Sequence, residues 1–200
     1  MRDTMSKAAR TKQFIVEKTA PIFNIKGYAG TSINDLMSAT GLSKGSIYGN
    51  FENKEEVALA AFDYNLNKII EFTQAKIAET ENSIERLLVY PKAYRNYFKI
   101  PFMQKGCPIL NTATEADDTH VLLKEKAANA LASWKESIEL QIKRGVERNE
   151  IKAGTNPSEI AVIMILMIEG AMMQSKVTGR TSELIIAMDF LEKTILNLKT

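Results

Sequence analysis

The most constraining feature of this sequence is a run of three helix-start signals between Gly27 and Glu56. Each signal is a small polar residue that can accept a hydrogen bond from the unpaired N–H groups of a first helical turn. The signals are Ser32 with Asp35, Ser43, and Asn53 with Glu56. Because three helices must begin so close together, the first two are short. We predict them at 33–40 and from 44 to 50 or 51, joined by a tight turn at Gly41, and a long third helix reaching about residue 80.

The rest of the chain also shows helical periodicity and almost no strand signal. No segment alternates apolar and polar residues over several positions, and the Asn-Gly and Asp-Gly pairs that mark hairpins do not occur. Further helices are predicted at about 6–26, 82–98 with an interruption at Pro91, 110–116, 119–148, 156–177 and 181–198. We therefore predict an all-α protein, with a first group of helices over residues 1–53 and a larger helical domain over residues 54–200.

The charge is unevenly distributed along the chain. The whole sequence has a net charge of +2, but residues 1–54 carry eight basic and four acidic side chains, a net +4, and the remainder has a net −2. A basic N-terminal quarter is typical of a segment that binds a polyanion. Arg2, Lys7, Arg10 and Lys12 fit either an arm that follows the DNA backbone or an ordinary solvated surface.

Several classes of protein are excluded by residue content. A single Cys excludes a disulfide framework and a Cys-based zinc cluster, and it fits a reducing compartment. The longest apolar run, 160–168, is too short to cross a bilayer, and the first thirty residues contain no secretory signal. With one His and no nucleophile or phosphate-loop motif, no enzyme is indicated. We expect a cytoplasmic protein that binds no membrane and needs no cofactor or metal.

The two short helices form a helix-turn-helix pattern. Their apolar residues, which would pack across the turn, are Ile33, Leu36, Met37, Leu42, Ile47 and Phe51. The outer face of the second helix carries Lys44, Ser46, Tyr48 and Asn50, all of which can form hydrogen bonds. In a DNA-binding protein of this type, such a face enters the major groove.

The segment 27–56 resembles the signature of the TetR family of bacterial transcriptional regulators. The resemblance is carried by Thr31-Ser32, Asp35-Leu36, the run from Thr40 to Gly45, Ile47-Tyr48, Phe51 and Lys54-Glu55. Beyond this segment the chain is similar to the family in layout only. The resemblance implies an N-terminal three-helix helix-turn-helix DNA-binding domain over residues 1–53 and a larger helical effector-binding and dimerisation domain over residues 54–200. It also implies a homodimer that binds a palindromic double-stranded DNA operator, with the last two helices of each subunit forming a four-helix bundle with those of the partner.

The resemblance also implies which residues contact DNA. They are Thr31, Ser32, Ser43, Lys44, Gly45, Ser46, Tyr48, Asn50 and Lys54. Thr31 and Ser32 would bind phosphate at a helix N-terminus, and Tyr48 and Lys54 would also contact phosphate. Gly45 would let the backbone approach DNA closely. The family often has a large residue where this chain has Gly49. Specificity would therefore depend on Ser46, on Asn50 pairing with adenine, and on DNA shape.

The C-terminal domain is less sharply specified. Apolar faces near the chain end predict a dimer interface containing Ile163, Leu166, Gly170, Leu184, Met188 and Leu191, although a core within one chain explains the same residues. Methionines and aromatic residues predict a pocket for a small, mainly apolar effector, lined by Tyr94, Phe98, Phe102, Met103, Cys107, Trp134, Met164 and Met167. Ordinary core packing is again the alternative.

Two more specific hypotheses about this domain have less support. Cys107 could sense oxidation, but an inert small residue explains it better. Glu115, Asp117, Asp118 and His120 could bind a divalent metal, yet helix capping accounts for them. The leading hypothesis is a ligand-responsive regulator, most simply a repressor, whose effector tilts the long helix that begins at Lys54. An architectural or cell-division protein of the same fold, without ligand sensing, is the alternative.

Overall fold

The computed structural model describes residues 6–200 and is helical along almost all of that length. Over these residues there are nine α-helices and one short 3-10 helix. They are α1 Lys7–Gly30, α2 Ile33–Thr40, α3 Lys44–Tyr48, α4 Lys54–Ala78, α5 Ser83–Arg95, the 3-10 helix Tyr97–Lys99, α6 Pro108–Ala116, α7 Val121–Glu147, α8 Pro157–Thr178 and α9 Ser182–Leu196. Within the described part of the chain, β pairing is limited to one isolated bridge between Ile151 and Lys199. The predicted all-α class is confirmed.

The chain divides into two compact units. The first unit comprises residues up to 68 together with 108–127, and the second comprises 69–107 and 128–200. The described part of the predicted domain 1–53, residues 6–53, lies within the first unit. This unit extends further, because α6 and the start of α7 also belong to it.

The first unit is organised by helix caps around a small apolar core. Ser32 and Asp35 form a reciprocal capping box at the start of α2, Gly41 ends that helix at φ 69°, and the Ser43 hydroxyl caps α3. The capped helices bury one apolar face, which places Leu36 and Ile47 fully inside. The core residues are Ile15, Val16, Ala20, Phe23, Leu36, Ile47, Phe51, Val57, Ala58 and Ala61. The predicted helix starts are confirmed, and α3 ends slightly earlier than predicted.

Gly27 interrupts the regular geometry of α1. Its φ of 71° and ψ of −179° lie in a region that only glycine occupies without strain. The predicted helix end at this residue is therefore a break, after which one further turn continues to Gly30. Ser6 caps the start of the helix by accepting a hydrogen bond from the Ala9 N–H at 3.1 Å.

The second unit packs α5, α8 and α9 together. Arg95 of α5 forms ion pairs with two acidic residues of α9, Asp189 and, at 2.8 Å, Glu192. The predicted interruption at Pro91 is wrong, because α5 continues through this residue. Nine of the thirteen residues of α5 are buried, and that packing offsets the hydrogen bond that proline cannot donate.

Helix α8 is unusually apolar for a helix of this length. It is long and apolar enough to cross a membrane by length and composition alone, a property that core helices of soluble proteins share. One face, which includes Met164, Ile168 and Met172, is buried within the unit. The Asn156 side chain accepts hydrogen bonds from Ser158 N–H at 3.1 Å and Glu159 N–H at 3.3 Å, which confirms the predicted start.

Candidate DNA interface and effector region

Helix α3 presents a polar surface on a buried anchor. Ile47 is completely buried, whereas Lys44, Gly45 and Ser46 are exposed on the outer side. A Cβ built on Gly45 would come no closer than 3.9 Å to another part of the protein, where it would meet the Ser43 hydroxyl. The interior of the protein therefore does not require glycine at this position, so its lack of a side chain matters only to something that approaches from outside.

Tyr48 and Asn50 are less available than the sequence predicted. Tyr48 is half-buried and packs against the core of the first unit. The Asn50 amide donates a hydrogen bond to the Ser46 carbonyl oxygen at 2.9 Å, which uses one of its two N–H groups. The bidentate contact with adenine predicted for Asn50 would still have the other N–H and the amide oxygen available.

The predicted phosphate site at the start of α2 needs correction at Thr31. Thr31 is 1% exposed, and its hydroxyl donates to the Gly27 carbonyl oxygen at 2.6 Å, so the side chain supports the break in α1 and does not face solvent. Ser32 is exposed, but its N–H and its hydroxyl both donate to Asp35 at 2.8 Å. Lys26 also binds Asp35, at 2.6 Å. These contacts hold the pKa of Asp35 well below its usual range, with the Lys26 contact having the largest effect.

Lys54 also differs from its predicted role as a phosphate ligand. Its ammonium group donates to the carbonyl oxygens of Tyr28 at 2.8 Å and Thr31 at 3.0 Å. It also lies 4.2 Å from the centre of the Tyr28 ring. Lys54 therefore joins the start of α4 to the end of α1, and it offers DNA only the donor capacity that remains.

The basic residues near the N-terminus do not act as one group. Lys12 binds Glu56 and lies 4.6 Å from the centre of the Phe51 ring, so it connects α1 to the start of α4. Lys7 and Arg10 are exposed. Arg2 lies outside the described residues.

Glu115 of α6 makes contacts that the sequence did not predict. Its two carboxylate oxygens accept hydrogen bonds from the N–H groups of Tyr28 and Ala29, both at 2.8 Å. These N–H groups follow the break at Gly27, where a Cβ would lie 2.3 Å from the Glu115 carboxylate. In the same region, the Asn111 amide donates to the Asn24 carbonyl oxygen at 2.9 Å. No local pattern predicts these pairs, because each joins residues far apart in the sequence.

His120 also packs on the end of α1. Its ring makes an edge contact with Tyr28, with 4.5 Å between ring centres, and its Nε2 lies 3.2 Å from a carboxylate oxygen of Glu55. Glu115 is thus committed to backbone N–H groups, and His120 to Tyr28 and Glu55. No group of three metal-ligating side chains occurs among residues 6–200.

The predicted effector-pocket residues are divided between interior and surface. Tyr94, Met103, Cys107 and Met164 are buried, and Trp134 and Met167 are half-buried. Phe98 and Phe102 are more than a third exposed, which corrects their assignment to an internal pocket. The reason is the 3-10 helix and the turns that follow it, which replace the predicted end of α5 and direct these two rings outward.

A polar cluster in the second unit was also missed. Both carboxylate oxygens of Glu169 are buried, and they accept no hydrogen bond of normal geometry from the described residues. Burial raises the pKa of Glu169, and the nearby Cys107 thiol opposes this only in part. Tyr94 is completely enclosed, and burial together with negative charge at Cys107 and Glu169 raises the pKa of its hydroxyl. Glu169 escaped notice because it stands alone in an apolar stretch.

A separate groove of about 490 Å³ lies in the second unit. It is lined by Phe72, Lys76, Glu79, Thr80, Glu85, Val89, Lys92, Ala93, Asn96 and Ile100. None of these residues belongs to the predicted effector set. Its two lysines and two glutamates balance in charge, so the groove shows no electrostatic preference for a ligand.

The predicted dimer residues also need correction. Leu184, Met188 and Leu191 are fully buried within a single chain, because this face of α9 packs in the core of the second unit. Leu166 is 67% exposed, and Ile163 and Gly170 are half-buried. The exposed large apolar residues of α8 and α9 are Val162, Leu166, Met173, Val177, Ile185, Ile186, Phe190 and Leu196. The predicted face of α9 is therefore wrong, and an interface formed by α8 and α9 stays a prediction.

Comparison with known proteins gives two domain matches. Residues 15–61 match the family described as bacterial regulatory proteins, tetR family, and residues 83–191 match the tetracyclin repressor-like C-terminal domain. The chain is also 27% identical over 175 residues to the HTH-type transcriptional repressor DhaR of Mycobacterium sp. (strain GP1), a match that covers 84% of this chain and 85% of that protein.

Two solved structures are similar over nearly the whole chain. One is a TetR-family transcriptional regulator from Cytophaga hutchinsonii, with 42% identity, a TM-score of 0.91 and coverage of 99% of both chains. The other is a TetR transcriptional regulator from Chloroflexus aurantiacus J-10-FL, with 36% identity, a TM-score of 0.91 and coverage of 98% of both chains.

Proposed function

Because the chain belongs to the TetR family of bacterial transcriptional regulators, we propose that it is a ligand-responsive repressor that binds a palindromic DNA operator as a homodimer. A small, mainly apolar effector would release it from DNA. Its relatives are regulators and not enzymes. A cytoplasmic location follows from this role, since the operator is on the chromosome.

The exposed face of α3 is the observation that carries the DNA-binding proposal. Lys44, Gly45 and Ser46 face outward from a helix anchored by the buried Ile47 and capped by Ser43. A cation, a bare backbone and a hydroxyl are suited to a phosphate, a close approach and a base edge. Ser43 and Ser32 flank this surface as exposed caps. Thr31 and Lys54 would support it from behind, since both bind backbone carbonyl groups.

The exposed face of α8 and α9 supports dimerisation. Val162, Leu166, Met173 and Val177 are spaced so that they share one side of α8, and Ile186 and Phe190 are a turn apart on α9. Large apolar side chains grouped in this way are typical of a surface that another protein covers. A second copy of the chain would provide the two-fold symmetry that a palindromic operator requires.

The effector proposal rests on the second unit. Tyr94, Cys107 and Met164 are buried there, and Trp134 is half-buried beside Tyr94 at 6.0 Å between ring centres. This arrangement of aromatic and sulfur-containing side chains suits a ligand with an apolar body. Effector binding would weaken DNA binding only if the effector prefers the conformation that does not bind the operator.

The decisive experiment begins by mapping the genomic DNA that the protein binds. We expect a few palindromic sites, and their affinities can then be measured by fluorescence anisotropy at several salt concentrations. Lys44→Ala should weaken binding about tenfold or more at all sites and reduce the salt dependence by about one phosphate contact. Lys143→Ala removes an exposed lysine from the second unit and should leave the affinity unchanged.

Two outcomes would contradict the proposal. Unchanged operator affinity in both Lys44→Ala and Asn50→Ala would show that α3 does not read DNA. Many scattered sites without palindromic symmetry would favour an architectural DNA-binding protein. Dimerisation is tested separately with Leu166→Glu, which should yield monomers in sedimentation experiments because it places a charge on an exposed apolar face.

A further inference from the structure

Glu169 is a half-buried residue of an apolar helix whose carboxylate is buried without the partners that such a group usually has. Both of its carboxylate oxygens are inaccessible to solvent and accept no hydrogen bond of normal geometry from the part of the chain that the structure describes. Buried carboxylates are normally paired with a cation or with several N–H donors, because an unpaired one is costly. The ammonium group of Lys176, two turns further along α8, donates instead to the Lys105 carbonyl oxygen at 3.3 Å.

Helix α8, which carries this carboxylate, packs against α5, which carries the aromatic residues Tyr90 and Tyr94. Burial raises the pKa of the Tyr94 hydroxyl, and Cys107 and Glu169 raise it further. Tyr94 stacks on Trp134 with an interplanar angle of 24°, and Tyr90 lies on the same indole at 6.3 Å between ring centres. Trp134 is half-buried, so this group of rings reaches the surface at the indole.

A second unpaired acceptor belongs to the same group. The Gln141 amide donates toward the Tyr90 hydroxyl at 3.4 Å, while its oxygen is buried and has no hydrogen-bond donor among residues 6–200. Three buried oxygen atoms on Glu169 and Gln141 therefore lack donors, around aromatic faces that carry negative electrostatic potential. All of these groups accept hydrogen bonds or attract positive charge.

We infer that this cluster, formed by Glu169, Gln141, Tyr90, Tyr94 and Trp134, is the binding site for an effector with an apolar body and one positive charge, such as an amine or a quaternary ammonium compound. The inference rests on the proposed effector role of the second unit, and it specifies the chemistry of that effector. The carboxylate supplies the counter-ion and the indole and phenol rings supply cation–π contacts, which are strongest where water is excluded.

A neutral or anionic ligand would fit the cluster less well. A neutral apolar molecule would leave the Glu169 oxygens unpaired, and an anion would add like charge beside a buried carboxylate. The Cys107 thiol offsets the effect of burial on the pKa of Glu169 only in part, because a thiol is a weak hydrogen-bond donor. A cation is therefore the ligand that removes the largest unfavourable contribution.

The test uses the single Trp of the chain as a reporter, since Trp134 is itself part of the cluster. The fluorescence of the full-length protein is titrated with phenyltrimethylammonium and with its uncharged isostere, tert-butylbenzene. We expect saturable quenching by the cation, with at least tenfold weaker binding of the neutral compound, as expected for a desolvated cation site. Glu169→Gln should weaken cation binding about tenfold or more.

Glu136→Gln is the matched control. It makes the same change at an exposed glutamate two residues from Trp134, and it should bind the cation as the wild type does. Equal affinity for the cation in wild type and Glu169→Gln would overturn the proposal, as would equal affinity of the wild type for the two isosteres. Calorimetry of Trp134→Leu, checked for folding by circular dichroism, should also show weaker cation binding.

The same titration is repeated with operator DNA present. Failure of the wild-type protein to bind DNA would contradict the proposed function and leave the fluorescence result intact. Normal DNA binding without any binding of the cation would contradict only the inference about the effector.

Discussion

Glu115 in the first unit and Glu169 in the second are glutamates in opposite situations. Glu115 accepts hydrogen bonds from two backbone N–H groups at 2.8 Å each, beside the break at Gly27. Glu169 is buried with neither oxygen accepting a hydrogen bond from the described residues. The Glu115 carboxylate is paired with two N–H donors. The Glu169 carboxylate lacks hydrogen-bond donors among the described residues. The proposed ligand-responsive repressor would need both kinds of region, since it would hold a fixed DNA-reading surface and also accept a ligand.

The contrast extends beyond these two residues. Among residues 6–200, the buried side-chain nitrogen and oxygen atoms without a hydrogen-bond partner are those of Ser83, Arg86, Arg95, His120, Gln141 and Glu169. Only His120 belongs to the first unit, and its Nε2 lies 3.2 Å from Glu55. Nearly all buried side-chain nitrogen and oxygen atoms in the described part of the first unit therefore have a hydrogen-bond partner. Unsatisfied buried groups require a functional or structural explanation, and the proposed cationic effector would provide one for Glu169 and Gln141.

The largest expected effect on stability comes from a substitution at Gly27, in the first unit. Gly27→Ala places a Cβ at a φ of 71°, where it meets the Glu115 carboxylate at 2.3 Å. The substitution must strain the backbone and displace Glu115 from its two N–H donors. We expect a loss of about 3 kcal/mol in the free energy of unfolding, measured by urea denaturation at fixed protein concentration.

Gly30→Ala is the control for this change. Gly30 is in the same helix, has no positive φ, and offers an added Cβ a distance of 3.5 Å to the Lys26 Cβ, so its replacement should alter stability by less than about 0.5 kcal/mol. Similar losses in the two variants would mean that the break at Gly27 is not a special conformation.

The next largest loss of stability is expected when the Glu115 carboxylate is removed and Gly27 is kept. Glu115→Ala leaves the N–H groups of Tyr28 and Ala29 without their acceptor, and we expect a loss of about 2 kcal/mol. Urea denaturation of Gly27→Ala with Glu115→Ala should show coupling, because both changes break the same contact. Strictly additive losses would show that the two residues act independently.

The third prediction is a gain in stability, and it concerns Glu169 in the second unit. Glu169→Gln replaces a buried carboxyl by an amide of similar shape that carries no charge. We expect it to stabilise the protein by about 1 kcal/mol near neutral pH, because an unpaired buried charge is removed. Thermal unfolding measures this, with Glu136→Gln as the exposed control. A clear destabilisation would mean that Glu169 has a structural partner.

How much the sequence reveals also differs between the two regions. Ser32 with Asp35, Gly41 and Ser43 are local signals, in which a residue and its partner lie within three positions, and the structure confirms them. The partners of Lys54 and Glu115 lie 23 to 87 positions away in the sequence, so no local pattern reveals them. For this reason Lys54 was predicted to bind phosphate, although it binds carbonyl oxygens.

Apolar helices limit sequence prediction in another way. Periodicity shows that α9 has an apolar face, but both sides of this helix carry large apolar residues, so the pattern cannot separate core from surface. Leu184, Met188 and Leu191 are buried, whereas Ile186 and Phe190 are exposed. Glu169 illustrates the same limit, since a lone acid in an apolar stretch gives no indication of whether its head points inward.

The smallest expected effect is a change in the pH dependence of stability. It concerns two carboxyl groups, those of Asp35 and Glu169, whose pKa values are shifted in opposite directions. The pKa of Asp35 is lowered by Lys26 and by two donors on Ser32, so the folded state favours the ionised form. Its stabilising contribution is complete above its unfolded pKa of about 3.9 and is lost as the pH falls below that value. Burial raises the pKa of Glu169, so stability falls as the pH rises above about 4.3, the pKa of an unfolded glutamate. In thermal unfolding from pH 2 to 7, Asp35→Asn should lose part of the acid-dependent decline and Glu169→Gln part of the decline on the alkaline side. Asp118→Asn, at an exposed loop position, is the control, and the same pH dependence in all three variants would contradict the assigned directions.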